Sequence, residues 1–510
     1  MMVWNRGQSS REEEHTLPTL QADVHQEKSS NDQKKSKKRT ILLLSLNRNV
    51  ITLICLAFAL IGAIQNIGFG MSVRLQSFLA DFSSEGNGLN KNDGFWSASS
   101  SAAPSSSQSS PYAKSTAGCG PEEIVKKRIV IVGGGAAGLT AAKRLQNAPL
   151  DSSFCLTTEV TVLEATDRFG GRVGKDDNFT VYPLDLGASW VYDKQRLSII
   201  AQEEKMEKTL EKNLVAPFEL DDYEAYRVKP DGTLKKTNIG SDKNVLWSNY
   251  TWYDFFEQKV ASSLHKNQIA YDCPVDKIEY GEERGDLAVF CGNRVFVADH
   301  VIVTASLAIL KDDVINFRPP LPPTILEGRN PMWRGFKIFF EFSERFYENE
   351  FVYALDDGEL DWWDYSLVHT GSEGPNILAG YYMGEAHDKF EGMTEEQVVK
   401  EVLKDLDVIY GKQVATNTYV RHKLVYWKDF PFIRGTYSSD HPPSDRVGPQ
   451  VVQDGRLLIA GEAFPVPPRH NGWVDGAAMS GLHAAEIILN KIDSSTNWFT
   501  IPQRIWAEKD

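Results

Sequence analysis

Apolar and polar positions divide the chain into stretches of different kinds. Residues 1–48 are polar and charged, with neither a strand-like nor a helical repeat, and close near the basic run Lys34-Lys35-Ser36-Lys37-Lys38-Arg39. Such a stretch buries too little apolar surface to offset chain entropy and is expected to be disordered. The uncharged run Val50–Phe69 that follows has the length needed to cross hydrocarbon as a helix. Residues 49–70 therefore read as a transmembrane anchor or a signal segment, and Ser-rich 71–123 as a linker. The basic run precedes the apolar one, so the positive-inside rule leaves the tail cytosolic and the remainder lumenal or extracellular. If the segment is cleaved, it serves as an organelle-targeting signal instead.

From Ile124 the pattern is that of a packed domain. Arg128-Ile129-Val130-Ile131-Val132 is a β-branched run of the kind buried in a parallel sheet. Leu139 to Gln146 brings Leu139, Ala142 and Leu145 onto one helical face, and Glu159 to Glu164 alternates as a strand. Strands are also expected at His300–Thr304, Ile338–Phe342 and Leu457–Ala460, and a helix at Leu482–Leu489. Strand, helix and strand in close succession predict an α/β fold.

Composition narrows the chemistry mainly by exclusion. A formal net charge of −14 argues against a nucleic-acid surface and is compatible with a cationic substrate. The five cysteines (Cys55, Cys119, Cys155, Cys273 and Cys291) lack zinc-site spacing, and their odd number defines no disulfide framework. No metal site is expected. The sequons Asn178-Phe179-Thr180 and Asn249-Tyr250-Thr251 permit a lumenal address without requiring one.

The first strand runs directly into Gly133-Gly134-Gly135-Ala136-Ala137-Gly138, which satisfies G-x-G-x-x-G. In this order the glycines let backbone approach a pyrophosphate while the helix N-terminus presents free N–H groups. Glu164, at the end of the next strand, is placed to accept the ribose hydroxyls. The spacing alone does not separate NAD from FAD.

Two later stations decide between them. Glu164-Ala165-Thr166-Asp167-Arg168-Phe169-Gly170-Gly171-Arg172 and Asp185-Leu186-Gly187-Ala188-Ser189-Trp190 resemble the extended flavin fingerprint of the flavin amine oxidase superfamily. Leu457 to Ala463 and Gly472-Trp473-Val474-Asp475-Gly476 resemble its closing motif, and Tyr271 to Ile278 its strand at the adenine. The resemblance spans about Arg128 to Glu486. It implies a Rossmann-like FAD-binding domain assembled from 124–200, 268–310 and 446–490, beside a mixed-sheet α+β substrate domain from 201–267 and 311–445. The positions carried over as cofactor contacts are Gly133, Gly135, Ala137, Gly138, Glu164, Arg172, Gly187, Ala188, Ser189, Trp190, Val275, Glu462 and Val474.

The same resemblance implies the chemistry. Lys337, before the strand Ile338–Phe342, falls where relatives use a lysine to hold a water against the reactive flavin nitrogen. Tyr437 and Trp473 fall where two aromatics flank the amine. Monoamine oxidases carry a covalent-anchor cysteine immediately before this tyrosine; here it is Thr436, so FAD is expected to be held non-covalently, as in the polyamine-oxidase branch. Near Trp190 only Asp193 is available as an acid for a polyamine tunnel, and Glu219-Leu220-Asp221-Asp222, Asp356-Asp357, Asp361 and Asp364 are candidates for an acidic entrance. The expected activity is oxidation of a polyamine by oxygen to an aldehyde, an amine and hydrogen peroxide. A monoamine or amino-acid oxidase, and a catalytically decayed flavoprotein scaffold, remain as alternatives.

Overall fold

The computed structural model describes residues 124–148, 155–216, 224–229, 233–237, 244–281, 285–329, 331–347, 350–354, 359–370, 374–438, 447–468 and 470–493. The tail, the apolar run Val50–Phe69, the Ser-rich linker, Glu219–Asp222 and Asp356-Asp357 lie outside them. Among the described residues no helix is long and apolar enough to cross a membrane.

Strand β1 (Val125–Val132) turns at the glycines into helix α1 (Ala136–Gln146) and returns as β2 (Leu156–Leu163), parallel to it. Helix α2 (Lys194–Ala201) follows, and β3 (Ile269–Ala270) and β4 (His300–Val303) extend the sheet on opposite sides. Successive side chains of β1 serve two cores, as expected for a strand covered on both faces. Ile129 and Ile131 pack with the helices, whereas Val130 and Val132 pack toward a four-stranded sheet made from segments between Lys277 and Arg318. The disulfide Cys273–Cys291 ties the loop before that sheet to one of its strands. This corrects the expectation from cysteine number. It also places Val275 in a loop between Ile269–Ala270 and Lys277–Glu279 rather than in a strand.

A seven-stranded sheet forms the second body, with β5 (Gly335–Phe342), β6 (Glu359–Asp364), β7 (Asn376–Met383) and β8 (Tyr419–Val425) adjacent in the order β8-β5-β7-β6. Phe336, Ile338, Phe340 and Phe342 face a core shared with α3 (Glu395–Tyr410), whose buried stripe is Val398, Val399, Val402, Leu403 and Leu406. Thr394 and Gln397 start that helix with reciprocal side-chain to backbone hydrogen bonds. The opposite face of β5 carries Lys337 and Phe339. Lys337 therefore lies within the strand, because Gly335 and Phe336 already pair with Met383 and Tyr382.

The chain then rejoins the first sheet through β9 (Gln450–Val452), antiparallel to β10 (Leu457–Ile459), which is parallel to β4. Helix α4 (Val474–Ile492) starts eight residues before the expected Leu482, since Gly476 packs on the His470 backbone and Ala477, Ala478 and Gly481 form a helix face by smallness rather than apolar bulk. That face meets α1 closely enough that a Cβ on Gly481 would stand 2.0 Å from the Ala137 carbonyl oxygen. Gly481→Ala is accordingly expected to lower unfolding stability by about 1–3 kcal/mol through overpacking, read as a shift of the denaturant midpoint.

Candidate active site

The cavity lies where the glycine turn, the 185–190 segment, the second sheet and the start of α4 converge, and holds about 440 Å³. Gly133 takes φ +103°, and Gly133 and Gly134 donate to the Leu163 carbonyl (2.8 Å) and Glu164 Oε2 (2.8 Å). Gly135 precedes α1 without a capping side chain, the first turn holds no acid, and the first helical bond is Leu139 N to Gly135 O (2.9 Å). The preceding helical N–H groups open onto the cavity with the positive end of the helix. The N-terminus of α4 also opens there, again uncapped by a side chain, with Val474 and Ala477 on the wall. Asp475, in its first turn, holds Arg196 through Oδ2 (2.5 Å), and its Oδ1 accepts from Gly476 N (2.9 Å).

These features fit a dinucleotide. Two helix N-termini, that of α1 without a side-chain cap, suit a pyrophosphate and an electron-rich ring, and the buried Glu164 carboxylate stands beside the glycines, also accepting from Thr166 N (2.9 Å) and Thr166 Oγ1 (2.8 Å). Val275 and the disulfide-held Cys273 line the same cavity. Gly138 is the one carried-over position off the wall. A Cβ there would meet the Gly133 carbonyl at 2.0 Å, so it lets the helix close on its own turn.

Arg172 donates to Thr436 O and Glu462 Oε1, both at 2.9 Å. Glu462 Oε2 accepts from Ser438 Oγ (2.5 Å), Ser438 N (3.2 Å) and Gly472 N (3.0 Å). Burial alone would raise the Glu462 carboxyl, but the Arg172 guanidinium and the Ser438 hydrogen bonds outweigh it and hold it below its ordinary value. An ionised Glu462 thus joins three segments of wall.

Lys337 is fully buried. Its Nζ donates to Asp185 O (2.5 Å), Gly187 O (3.0 Å) and Ser189 Oγ (2.5 Å), among the rings of Phe339, Trp363 and Tyr381 at 4.9, 5.3 and 5.2 Å. Three acceptors use all three N–H groups of an ammonium, so a water held by Lys337 must displace one of them. Burial lowers its pKa to about 7, with the Asp185 carboxylate opposing; burial likewise pushes Asp185 up.

Tyr437 and Trp473 both line the cavity. Gly472 separates them closely, since a Cβ there would lie 3.0 Å from Tyr437 Cδ2. Behind each stands a second ring: Trp333 beside Tyr437 at 5.6 Å, and Tyr192 stacked on Trp473 at 3.9 Å. Tyr192 and Tyr381, whose hydroxyl donates to Gly187 O (3.0 Å), are wall residues that sequence reasoning missed. Ile377–Met383 is a continuous apolar run whose faces the sequence does not separate, so Tyr381 carried no signal of its own, and Tyr192 none beyond its nearness to Trp190.

Two acids considered for the amine path serve the scaffold instead. Asp193 caps α2 through Gln195 N (2.9 Å) and pairs with Arg196. Asp364 is buried, holds Arg345 (2.5 Å) and accepts from Ser366 N and Leu367 N.

An uncapped glycine-turn helix, a buried acid beside its glycines, and a buried lysine lining the same cavity as Tyr437 and Trp473 are compatible with a flavin-binding oxidoreductase. Residues 131–200 match the NAD(P)-binding Rossmann-like domain family, and residues 253–489 match the family described as flavin containing amine oxidoreductase. The chain is 24% identical over 461 residues to polyamine oxidase 1 of Zea mays, covering 69% of this chain and 88% of that relative. It is 30% identical over 233 residues to lysine-specific histone demethylase 1 homolog 2 of Arabidopsis thaliana, covering 44% of this chain and only 31% of that relative, so it spans about a third of the demethylase's length. The fold is similar to cyclohexylamine oxidase from Brevibacterium oxydans IH-35A, with a TM-score of 0.57 at 16% identity, covering 72% of this chain and 99% of that one. Together these matches support the flavin amine oxidase superfamily, with FAD as the cofactor.

The Lys337 geometry generates a pH prediction. With its folded pKa lowered from 10.5 to about 7, the unfolded chain binds more protons between those values, so stability rises with pH across that window. Lys337→Met should remove this rise, checked by thermal unfolding of the FAD-loaded protein from pH 7 to 10. An unchanged slope would assign it to another group.

Proposed function

We propose that this protein oxidises polyamines with oxygen as acceptor, giving an aldehyde, an amine and hydrogen peroxide, with FAD held non-covalently. The observation that carries the reading is the buried Lys337 amine, fixed by the 185–189 segment, facing the same cavity as Tyr437 and Trp473. Bound FAD supplies the two-electron acceptor, which oxygen restores. The chain's own groups bind and orient. Tyr437 and Trp473 would flank an amine with their π faces and keep water from it, and a protonated Lys337 would supply a cation on the same wall once one of its three acceptors gives way. Arg172 and Glu462 hold the wall between them.

The polyamine class is supported by the match along 88% of the length of a polyamine oxidase and by the acidic balance of the chain. An amino-acid oxidase needs a cation for the substrate carboxylate. Of the arginines on the described wall, Arg172 is engaged by Glu462, and Arg168 donates to the carbonyls of Phe169 and Gly171. Thr436 leaves no thiol at the anchor position, which supports non-covalent FAD.

The test is peroxide release on spermine, spermidine, acetylated polyamines and an aromatic amine, with the visible spectrum recorded before and after acid precipitation. Peroxide from a polyamine, with flavin released by acid, is expected. Peroxide only from the aromatic amine would move the reading to a monoamine oxidase, and stoichiometric FAD without turnover would make the chain a scaffold. Lys337→Met should slow turnover by about 100-fold while FAD is retained.

A further inference from the structure

Both sequons lie on the described surface, and the fold treats their residues in the same way. Asn178 stands on the exposed turn between Lys175–Asp176 and Leu184–Asp185, its backbone N–H held by Asp176 Oδ1 (2.8 Å). Asn249 stands on the exposed turn between Val245–Trp247 and Trp252, at φ +50°. In each, the aromatic that follows is turned inward: Phe179 and Tyr250 are 8% and 7% exposed. The third residue is turned inward too. The Thr180 hydroxyl oxygen is buried, and Thr251 is fully buried, capping the helix at Trp252 by accepting from Asp254 N and donating to Asp254 Oδ2 (2.7 Å). A bulky group on either asparagine therefore meets solvent, but the hydroxyls that define the acceptor triplet are hidden once the domain has folded. Attachment has to precede folding, on a chain still emerging into the compartment where the transfer occurs.

An independent observation points to the same compartment. Cys273 and Cys291 are 1% and 5% exposed and joined as a disulfide. Such buried pairs form and persist in oxidising, secretory surroundings and are rare in a reducing cytosol. The basic run before the apolar Val50–Phe69 is the order in which either a membrane anchor or a cleaved signal would send the folded part to that side.

We propose that the folded region matures in an oxidising secretory lumen and carries N-linked glycans on Asn178 and Asn249. The donor is a lipid-diphosphate-linked oligosaccharide. Asn Nδ2 forms a bond to the anomeric carbon, the bond from that carbon to the diphosphate oxygen breaks, and the Nδ2 proton leaves with the lipid diphosphate; nothing is oxidised. At Asn249 the remaining Nδ2 hydrogen still serves the His369 carbonyl, which Nδ2 reaches at 3.3 Å. The cysteine thiols are oxidised separately, reducing the disulfide of a thiol-oxidising partner.

The test uses the full chain expressed in a eukaryotic secretory cell line. Peptide N-glycosidase should increase gel mobility by two glycans and convert Asn178 and Asn249 to aspartate, seen by mass spectrometry in heavy-oxygen water. Asn178→Gln should remove one glycan and Asn249→Gly the other, glycine being chosen because it adopts positive φ without strain. Neither residue lines the cavity, so bound flavin should be unchanged in both variants. Thiol alkylation of the denatured, unreduced wild-type chain should leave Cys273 and Cys291 unmodified. No glycosidase shift, or alkylation of both cysteines, would overturn the proposed maturation. A shift that persists in the double variant would overturn the two sites.

Discussion

A buried ammonium imposes the constraint on which the cavity depends. Lys337 projects from a strand of the second sheet into a ring of aromatics, where a cation is costly unless oxygens surround it. The oxygens come from 185–189, a segment that belongs in sequence to the first body. Satisfying one side chain thus threads that segment across the face of the second sheet, and Tyr381 fastens it again at Gly187. Gly187 in turn passes so close to Arg172 that a Cβ would overlap its carbonyl oxygen at 1.7 Å. Arg172 holds Glu462, and Glu462 holds Gly472 beside Tyr437 and Trp473. Lysine, glycine, arginine and glutamate form one continuous chain of constraint between the cofactor walls and the substrate walls.

Electrostatics follow the same division. Two helices point their positive ends at the cavity, and the one acid in the first turn of α4 is held by Arg196 while its other oxygen accepts from Gly476 N. On the substrate side, burial pushes both Lys337 and Asp185 toward their neutral forms, so small changes in their surroundings alter charge.

Much of this was legible in the chain because it rests on local rules. A β-branched run, three glycines and a following acid specify a strand, a turn and a carboxylate beside the glycines within about 40 residues. The cavity positions inferred from motifs gather on one wall, with Gly138 set behind it. What escaped depends on tertiary partners. Cys273 and Cys291 are 18 residues apart and meet only because a loop and a strand of the four-stranded sheet are neighbours. Asp193 and Asp364 look free in the sequence, but a helix start and Arg345 engage them. The early start of α4 was hidden because small residues pack by close approach and leave no apolar periodicity.

The order of strands also bears on how the protein is made. β1 lies between β2, its near neighbour in sequence, and β4, about 170 residues later, and the sheet continues into β10 only at Leu457. Trp473 and the N-terminus of α4 come later still. A ribosome that has released the glycine turn has therefore delivered only one side of the cofactor's berth, and some 340 further residues must emerge before the other side exists. The complete berth exists only once the segment through the start of α4 has joined the sheet.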